Sequence, residues 1–291
     1  MNLDLIKKLC KIDTETLKSI LKEFLADKGY RKIYTNDLYI AAEGDNPVCL
    51  IAHMDTVFSY PPKEFYYDQE KKVLWSPGGS GFDDRAGIYA IINIIETTDF
   101  RPSVLFLDKE EAGGIGARAL TDRFMKCPFK KCNILIELDR ANHNDAVFYD
   151  CDNEKFEQFI FKFGFKGDYG TFSDISVIAP IWKIAAVNLS IGYEDEHFGT
   201  ERLHTDWCDE TIKKVKKILG SKVPYFKYIP FKYSFTPMQT KGSNKLVPFS
   251  KNCAFCGKEF INNSFWNVTD YGAYSYALCD ECYQLYYKGA F

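Results

Sequence analysis

The chain has 291 residues, 46% of them hydrophobic and 26% charged, which is ordinary globular composition with length for one large domain or for a medium domain and a small one. Its formal net charge of −3 makes no whole-chain electrostatic case for nucleic acid or an anionic membrane surface. The N-terminal stretch MNLDLIKKLCKIDTETLKSI has no apolar core of signal-peptide length, and no segment approaches the roughly 18 apolar residues of a membrane span. A cytoplasmic protein is therefore expected.

In chain order, TETLKSILKEFLADKGY carries Leu17, Ile20, Leu21, Phe24 and Leu25 at helical spacing and ends at Gly29. DLYIAAEG and VCLIAHM read as strands, and FYYDQEKKVLWSPGGSG as two short strands around a charged turn, followed by a glycine-rich loop. DRAGIYAIINIIETT reads as a buried helix, RPSVLFLDKEEAGGIGA as a strand running into a loop, GARALTDRFM as a short helix and CNILIELD as a core strand. NEKFEQFIFKFGF is expected to be helical, DISVIAP and KIAAVNLSIG extended, and DWCDETIKKVKKILG a closing helix with Gly220 beyond it. This alternation predicts an α/β three-layer sandwich with a mostly parallel central sheet over residues 1–220. Residues 221–250 lose the pattern among prolines and aromatics and read as a connecting arm that packs on something.

Ten cysteines divide into two groups. Cys10, Cys49, Cys127, Cys132, Cys151 and Cys208 are scattered and read as free thiols. Cys253, Cys256, Cys279 and Cys282 form two C-x-x-C pairs 22 residues apart, the spacing of a closed tetrahedral zinc site. Residues 251–291 are thus expected to be a small four-cysteine zinc module of zinc-ribbon or treble-clef type, with the structural zinc supplying much of its folding energy. The module is aromatic and poor in Lys and Arg, which points to a protein partner or homo-oligomer rather than nucleic acid.

Acidic residues and histidines gather where the predicted strands end and in the loops beside them: His53 and Asp55 in AHMDT, Asp83 and Asp84 in GFDDRAG, Glu110 and Glu111 in DKEEAGG, Glu137 and Asp139 in ELD, and His197 in GYEDEHFGTE. In open α/β sheets the ends of the strands are where ligands bind. Oxygen-rich ligands with one or two histidines suit two divalent ions bridged by a carboxylate, which can hold a hydroxide between them and polarise a carbonyl. A free glutamate beside them would move the proton from water to the leaving amine.

AHMDT, GFDDRAG, DKEEAGGIGA, ELD and GYEDEHFGTE resemble, in order, the five metal-site motifs of the di-zinc exopeptidase superfamily, metallopeptidase families 28, 42 and 20, over about residues 12–219. The resemblance implies that His53 binds one metal with Asp55 orienting its ring, that Asp83 bridges both metals and precedes a cis peptide, that Glu110 is the general acid/base, that Glu111 binds the second metal and that Asp139 binds beside His53. HFGTE fits the family's His-x-x-x-Glu, which favours His197 over His204 as the last ligand. The expected cofactors are two divalent ions, zinc first with cobalt or manganese as alternatives, plus the structural zinc. Asp174, in a segment resembling the family's Gly/Ser-Asp loop, and His143 are the candidate substrate-binding residues.

Only 27 residues separate Asp55 from Asp83, where family 42 inserts a lid domain, and 57 separate Asp139 from His197, where family 20 inserts a dimerisation domain. The undecorated core resembles family 28 most closely in layout. The resemblance implies a metal-dependent aminopeptidase or dipeptidase acting on small peptides. Another amidohydrolase or deacylase on the same site, and an inactive adaptor acting through the zinc module, are the alternatives.

Overall fold

In the computed structural model the chain divides into two compact units, Met1–Lys232 and Tyr233–Phe291. The structure describes residues 1–231 and, in the second unit, the backbone of two strands that pair as an antiparallel hairpin, Trp266 opposite Leu278. Cys253, Cys256, Cys279, Cys282 and the arm from residue 232 lie outside the described residues.

The first unit begins with α1 (Leu3–Lys11) and α2 (Thr14–Asp27). Asn2 and Asp13 cap them, their side chains accepting the amides of Leu5 and Thr16. Strands β1 (Ile33–Asn36), β2 (Tyr39–Ala42) and β3 (Asn46–His53) follow, then β4 (Tyr66–Asp68) and β5 (Val73–Trp75). Next come α3 (Phe82–Thr97), β6 (Pro102–Leu107), α4 (Ile115–Arg123), β7 (Ile134–Arg140), β8 (Asp145–Val147), α5 (Glu154–Phe161) and β9 (Lys166–Gly167). The unit continues through α6 (Asp174–Trp182), β10 (Ala186–Ser190), β11 (Tyr193–Glu194), β12 (Arg202–His204) and α7 (Thr205–Leu219). The second-unit strands are β13 (Trp266–Asp270) and β14 (Tyr274–Leu278).

The main sheet has the order β1-β2-β6-β3-β7-β10-β8-β9. Its centre, β6-β3-β7-β10, is parallel, while β1, β2 and β8 pair antiparallel to their inner neighbours. The central strands are mostly apolar and almost wholly buried, as a sheet covered on both faces requires. One face packs against α1, α2, α3, α5 and α7, with Leu17, Leu21 and Leu25 forming the buried stripe of α2. The other packs against α4 and α6 through Leu120, Ile175, Ile178 and Trp182. A separate small sheet, β11-β12-β5-β4, packs Leu74, Tyr193 and Leu203 into the same core as the first helical face. None of the helices among the described residues is long and apolar enough to cross a membrane.

One segment differs from its sequence reading. DISVIAP, expected to be extended, lies in helix α6. Ile175, Ile178, Ala179 and Trp182 fall at helical spacing and are buried against the sheet, so packing overrides local propensity. Beyond α7, Ala185 donates to Phe226 and Asp152 to Ile229 through backbone hydrogen bonds, which lay the chain up to Phe231 along the first unit.

Helix α3 comes so near β7 that a Cβ on Gly87 would stand 2.2 Å from the Leu138 carbonyl oxygen and 2.5 Å from Asp84 Oδ1. Gly87→Ala is expected to cost about 1–3 kcal/mol through overpacking and to lower the thermal midpoint by several degrees in scanning calorimetry. An unchanged midpoint would contradict this close approach.

Candidate metal centre

Three neighbouring parallel strands end at the same edge of the sheet. In the register His53, the last residue of β3, stands level with Leu107, the last of β6, and β7 lies on the other side of β3. His53 thus comes from β3, Asp55 from the loop beyond it, Glu110 and Glu111 from the turn after β6, and Asp139 from β7. His197 arrives in the loop between β11 and β12, with a left-handed φ of 67°. Asp83 lies at the irregular start of α3, where Asp83 and Asp84 have non-helical backbone angles and the peptide bond between them is cis.

The sequence-predicted ligands fall into two groups that share Asp83: His53, Asp83 and Asp139, and Asp83, Glu111 and His197. His53 Nε2 is 3.0 Å from Asp83 Oδ1 and 3.4 Å from Asp139 Oδ1. His197 Nε2 is 3.1 Å from Asp83 Oδ2 and 3.0 Å from Glu111 Oε2. Each oxygen of Asp83 therefore faces a different imidazole. His53 Nδ1 points the other way, 3.3 Å from Asp55 Oδ1, and Asp55 also accepts the amides of Glu110 at 3.1 Å and Glu111 at 3.2 Å. A carboxylate behind a histidine ligand fixes ring orientation and tautomer, and Asp55 ties that ring to the turn bearing both glutamates.

The field of so many acids sets the protonation states. Burial works to raise Asp83, but hydrogen bonds from His197 and His53 hold its carboxyl well below the usual range. Burial pulls the His53 ring down, and Asp139, Asp55 and Asp83 more than offset it, leaving the ring above its ordinary value. Asp83 likewise lifts His197 to about 9. Burial, reinforced by the charge of Asp83, pushes Glu111 up to about 7. Glu110 is raised by burial and by Asp83 and Asp55, against the lowering influence of the two histidines.

His204 and His143 stand outside both groups. His204 Nε2 contacts Glu194 at 2.8 Å and its ring stacks on Trp207 with centroids 3.8 Å apart. His143 contacts Glu210 at 3.0 Å and stacks on Trp207 at 5.0 Å. Asp174 is fully buried, and His53, Glu110, Asp139 and Asp55 all act on its charge.

Glu201, the last residue of the HFGTE motif, has a structural role that the motif does not reveal. Fully buried, it accepts the backbone amides of Ser80, Gly81 and Asp83. It thereby anchors the loop that presents Asp83 to the turn following His197. Asp84 complements it, accepting the amides of His53 at 3.2 Å and Gly87 at 2.9 Å and so capping the regular part of α3 on the end of β3. Both functions are backbone recognition by buried carboxylates, which spacing alone does not reveal.

No protein-family model matches the chain, and no curated protein matches its sequence. Solved structures do match its fold. With the aminopeptidase PepT from Bacillus cereus the identity is 14%, the alignment covers 75% of this chain and 96% of that one, and the TM-score is 0.62. A tripeptidase from Staphylococcus aureus matches with 15% identity, 75% and 96% coverage and a TM-score of 0.62. The TET aminopeptidase from a marine-sediment Thaumarchaeota archaeon matches with 12% identity, 75% and 96% coverage and a TM-score of 0.59. At such identities the likeness establishes a shared α/β fold.

Glu201→Gln keeps the volume of the side chain but places an amide group against backbone N–H donors. It is expected to weaken divalent-ion binding about 10–100-fold, the usual effect of losing a group that orients a ligand. Chelator competition on the full chain reads the affinity, and wild-type affinity in the variant would refute the anchoring role.

Proposed function

We propose that this chain is a metal-dependent exopeptidase of the aminopeptidase or dipeptidase type, hydrolysing amide bonds of small peptides. The observation that carries the reading is the sharing of Asp83 between two donor groups, each completed by one histidine and one further carboxylate. The donor set fits the ions. Nitrogen and oxygen donors of this kind suit zinc, cobalt or manganese, and Glu111 Oε1 is buried without a hydrogen-bond partner. His53, Asp83 and Asp139 would hold one ion, and Asp83, Glu111 and His197 the other. Bound there, two divalent ions supply Lewis-acid polarisation of the scissile carbonyl and acidification of water.

Glu110 is the general acid/base. Its backbone is fixed through Asp55, and its carboxyl is held above the ordinary carboxylate range by burial and neighbouring charge. A carboxylate in this position accepts a proton from the attacking water and returns it to the leaving amine. Asp55 takes the Nδ1 side of His53 and leaves Nε2 directed at Asp83 and Asp139. The short spacings before Asp83 and after Asp139 suit the undecorated family 28 layout. The aminopeptidase and tripeptidase activities of the structural neighbours support the reaction class. Cys253, Cys256, Cys279 and Cys282 would hold a structural zinc in the C-terminal module, by their spacing.

Elemental analysis of the full chain is expected to find about three metal ions, and about one fewer after Cys253→Ser with Cys256→Ser. On a panel of aminoacyl chromogenic substrates, Glu110→Gln is expected to lose about 10²–10⁴-fold in rate with metal content unchanged. Occupancy of the four-cysteine site alone, with no turnover on any substrate, would sink the exopeptidase reading and favour the adaptor.

A further inference from the structure

Tyr193 lies in the GYEDEHFGTE stretch but has no part in the chemistry above. Gly192 precedes it with a left-handed φ of 99°, and a Cβ there would stand 2.9 Å from the Cys208 amide nitrogen and 3.0 Å from the His204 carbonyl oxygen. Glycine alone suits so close a turn, which leads the chain from β10 of the main sheet into β11 of the small one. Tyr193 is thereby turned inward, 2% exposed, with its carbonyl accepting the Asn142 amide at 2.8 Å. Its hydroxyl donates to Asp139 Oδ1 at 3.1 Å, the same oxygen that stands 3.4 Å from His53 Nε2.

Asn188 of β10 fixes the backbone of that aspartate. Its Oδ1 accepts the Asp139 amide at 2.9 Å and its Nδ2 donates to the Asp139 carbonyl at 3.1 Å, next to the shift in register between β10 and β7. Asp139 is therefore held twice, by its main chain and by its carboxylate. The second hold matters because Asp83 faces the same imidazole nitrogen, and two like charges so close push each other aside unless something fixes them. A lysine or arginine in place of Tyr193 would neutralise the carboxylate and oppose an incoming divalent ion. A phenol steadies it through a hydrogen bond and adds no charge. Among the described residues Glu111 has no equivalent: its Oε1 lacks a hydrogen-bond partner, and the His197 side chain that meets its Oε2 is 50% exposed.

We propose that Tyr193 is the positioning residue of the His53 group, its hydroxyl fixing the orientation of Asp139 and so setting the affinity of one metal position and not of the other. This rests on the metal-dependent reading and deepens it, by giving the two positions separate supports.

The test titrates the full chain with cobalt(II), whose bands at nitrogen and oxygen donors are distinct from the intense charge-transfer bands of thiolate ligands, so the four cysteines do not confuse the count. His197→Ala removes a donor of the second group and identifies the binding step that belongs to His53, Asp83 and Asp139. Tyr193→Phe removes one oxygen and leaves the ring. It is expected to weaken that step about 10–100-fold, the usual effect of losing a group that orients a ligand, to change its absorption bands and to leave the other step as in wild type. An unchanged step overturns the proposal, and an equal loss in both steps marks a merely structural role and overturns it too. Cobalt at neither position overturns it together with the metal centre. Should Tyr193→Phe fail to fold, a fluorinated tyrosine at the same position decides with zinc(II): a fluorine resonance that moves only with the step kept in His197→Ala supports the proposal, and any other pattern overturns it. Absence of hydrolysis on every substrate, which sinks the exopeptidase reading, leaves these titrations intact.

Discussion

The carboxylate of Asp83 stands between two imidazoles, 3.0 Å from His53 Nε2 and 3.1 Å from His197 Nε2, and much of the surrounding structure holds it there. Asp83 belongs to neither a regular helix nor a strand, so its position comes from neighbours. Glu201 binds the amides leading into it, Asp84 joins the end of β3 to the first regular turn of α3, and the absence of a side chain at Gly87 lets that helix close on β7. Asp55 does the same for the opposite wall, gathering His53, Glu110 and Glu111 through one carboxylate.

Such an arrangement concentrates negative charge where the sandwich is dry. Burial raises Asp84, Asp139, Glu137 and Asp174 well above the ordinary range, while Asp83, with an imidazole at each oxygen, is held low. Buried like charges are tolerable when cations or hydrogen-bond donors meet them. Asp84 and Glu201 are met by backbone amides, and Asp83, Glu111 and Asp139 by the two histidines and the hydroxyl of Tyr193. Unmet oxygens remain on Glu111, which keeps one, and on Glu137 and Asp174, which keep three between them.

Of the two histidines weighed in one dimension it is His197 that lies beside Asp83, and the alternation of apolar strands and amphipathic helices and the run of motif carboxylates at strand ends were legible there. DISVIAP was not, because its β-branched residues favour a strand locally and only the contact of Ile175, Ile178 and Trp182 with the sheet selects the helix. The clamp made by Glu201 was likewise hidden, since a glutamate that recognises backbone amides at positions 80 to 83 leaves no pattern of its own. The separation of Asp55 from the ligand layer, which the resemblance implied, rests in the structure on the two nitrogens of one imidazole: Nδ1 faces Asp55 while Nε2 faces Asp83 and Asp139.

What the sequence by itself determined was the inventory: strand and helix periods, residue types able to bind metal, and the paired cysteines, all of which depend on neighbours within a few positions. The tertiary structure decided which of those residues meet. The strand order β6-β3-β7 brings Glu111, His53 and Asp139 to one edge, and the loop after β11 delivers His197 to Asp83 across more than a hundred residues of chain. Those distances are set by how the central strands pair and how helices pack on both faces, which are long-range consequences of burying apolar surface. Local sequence preference does not specify them.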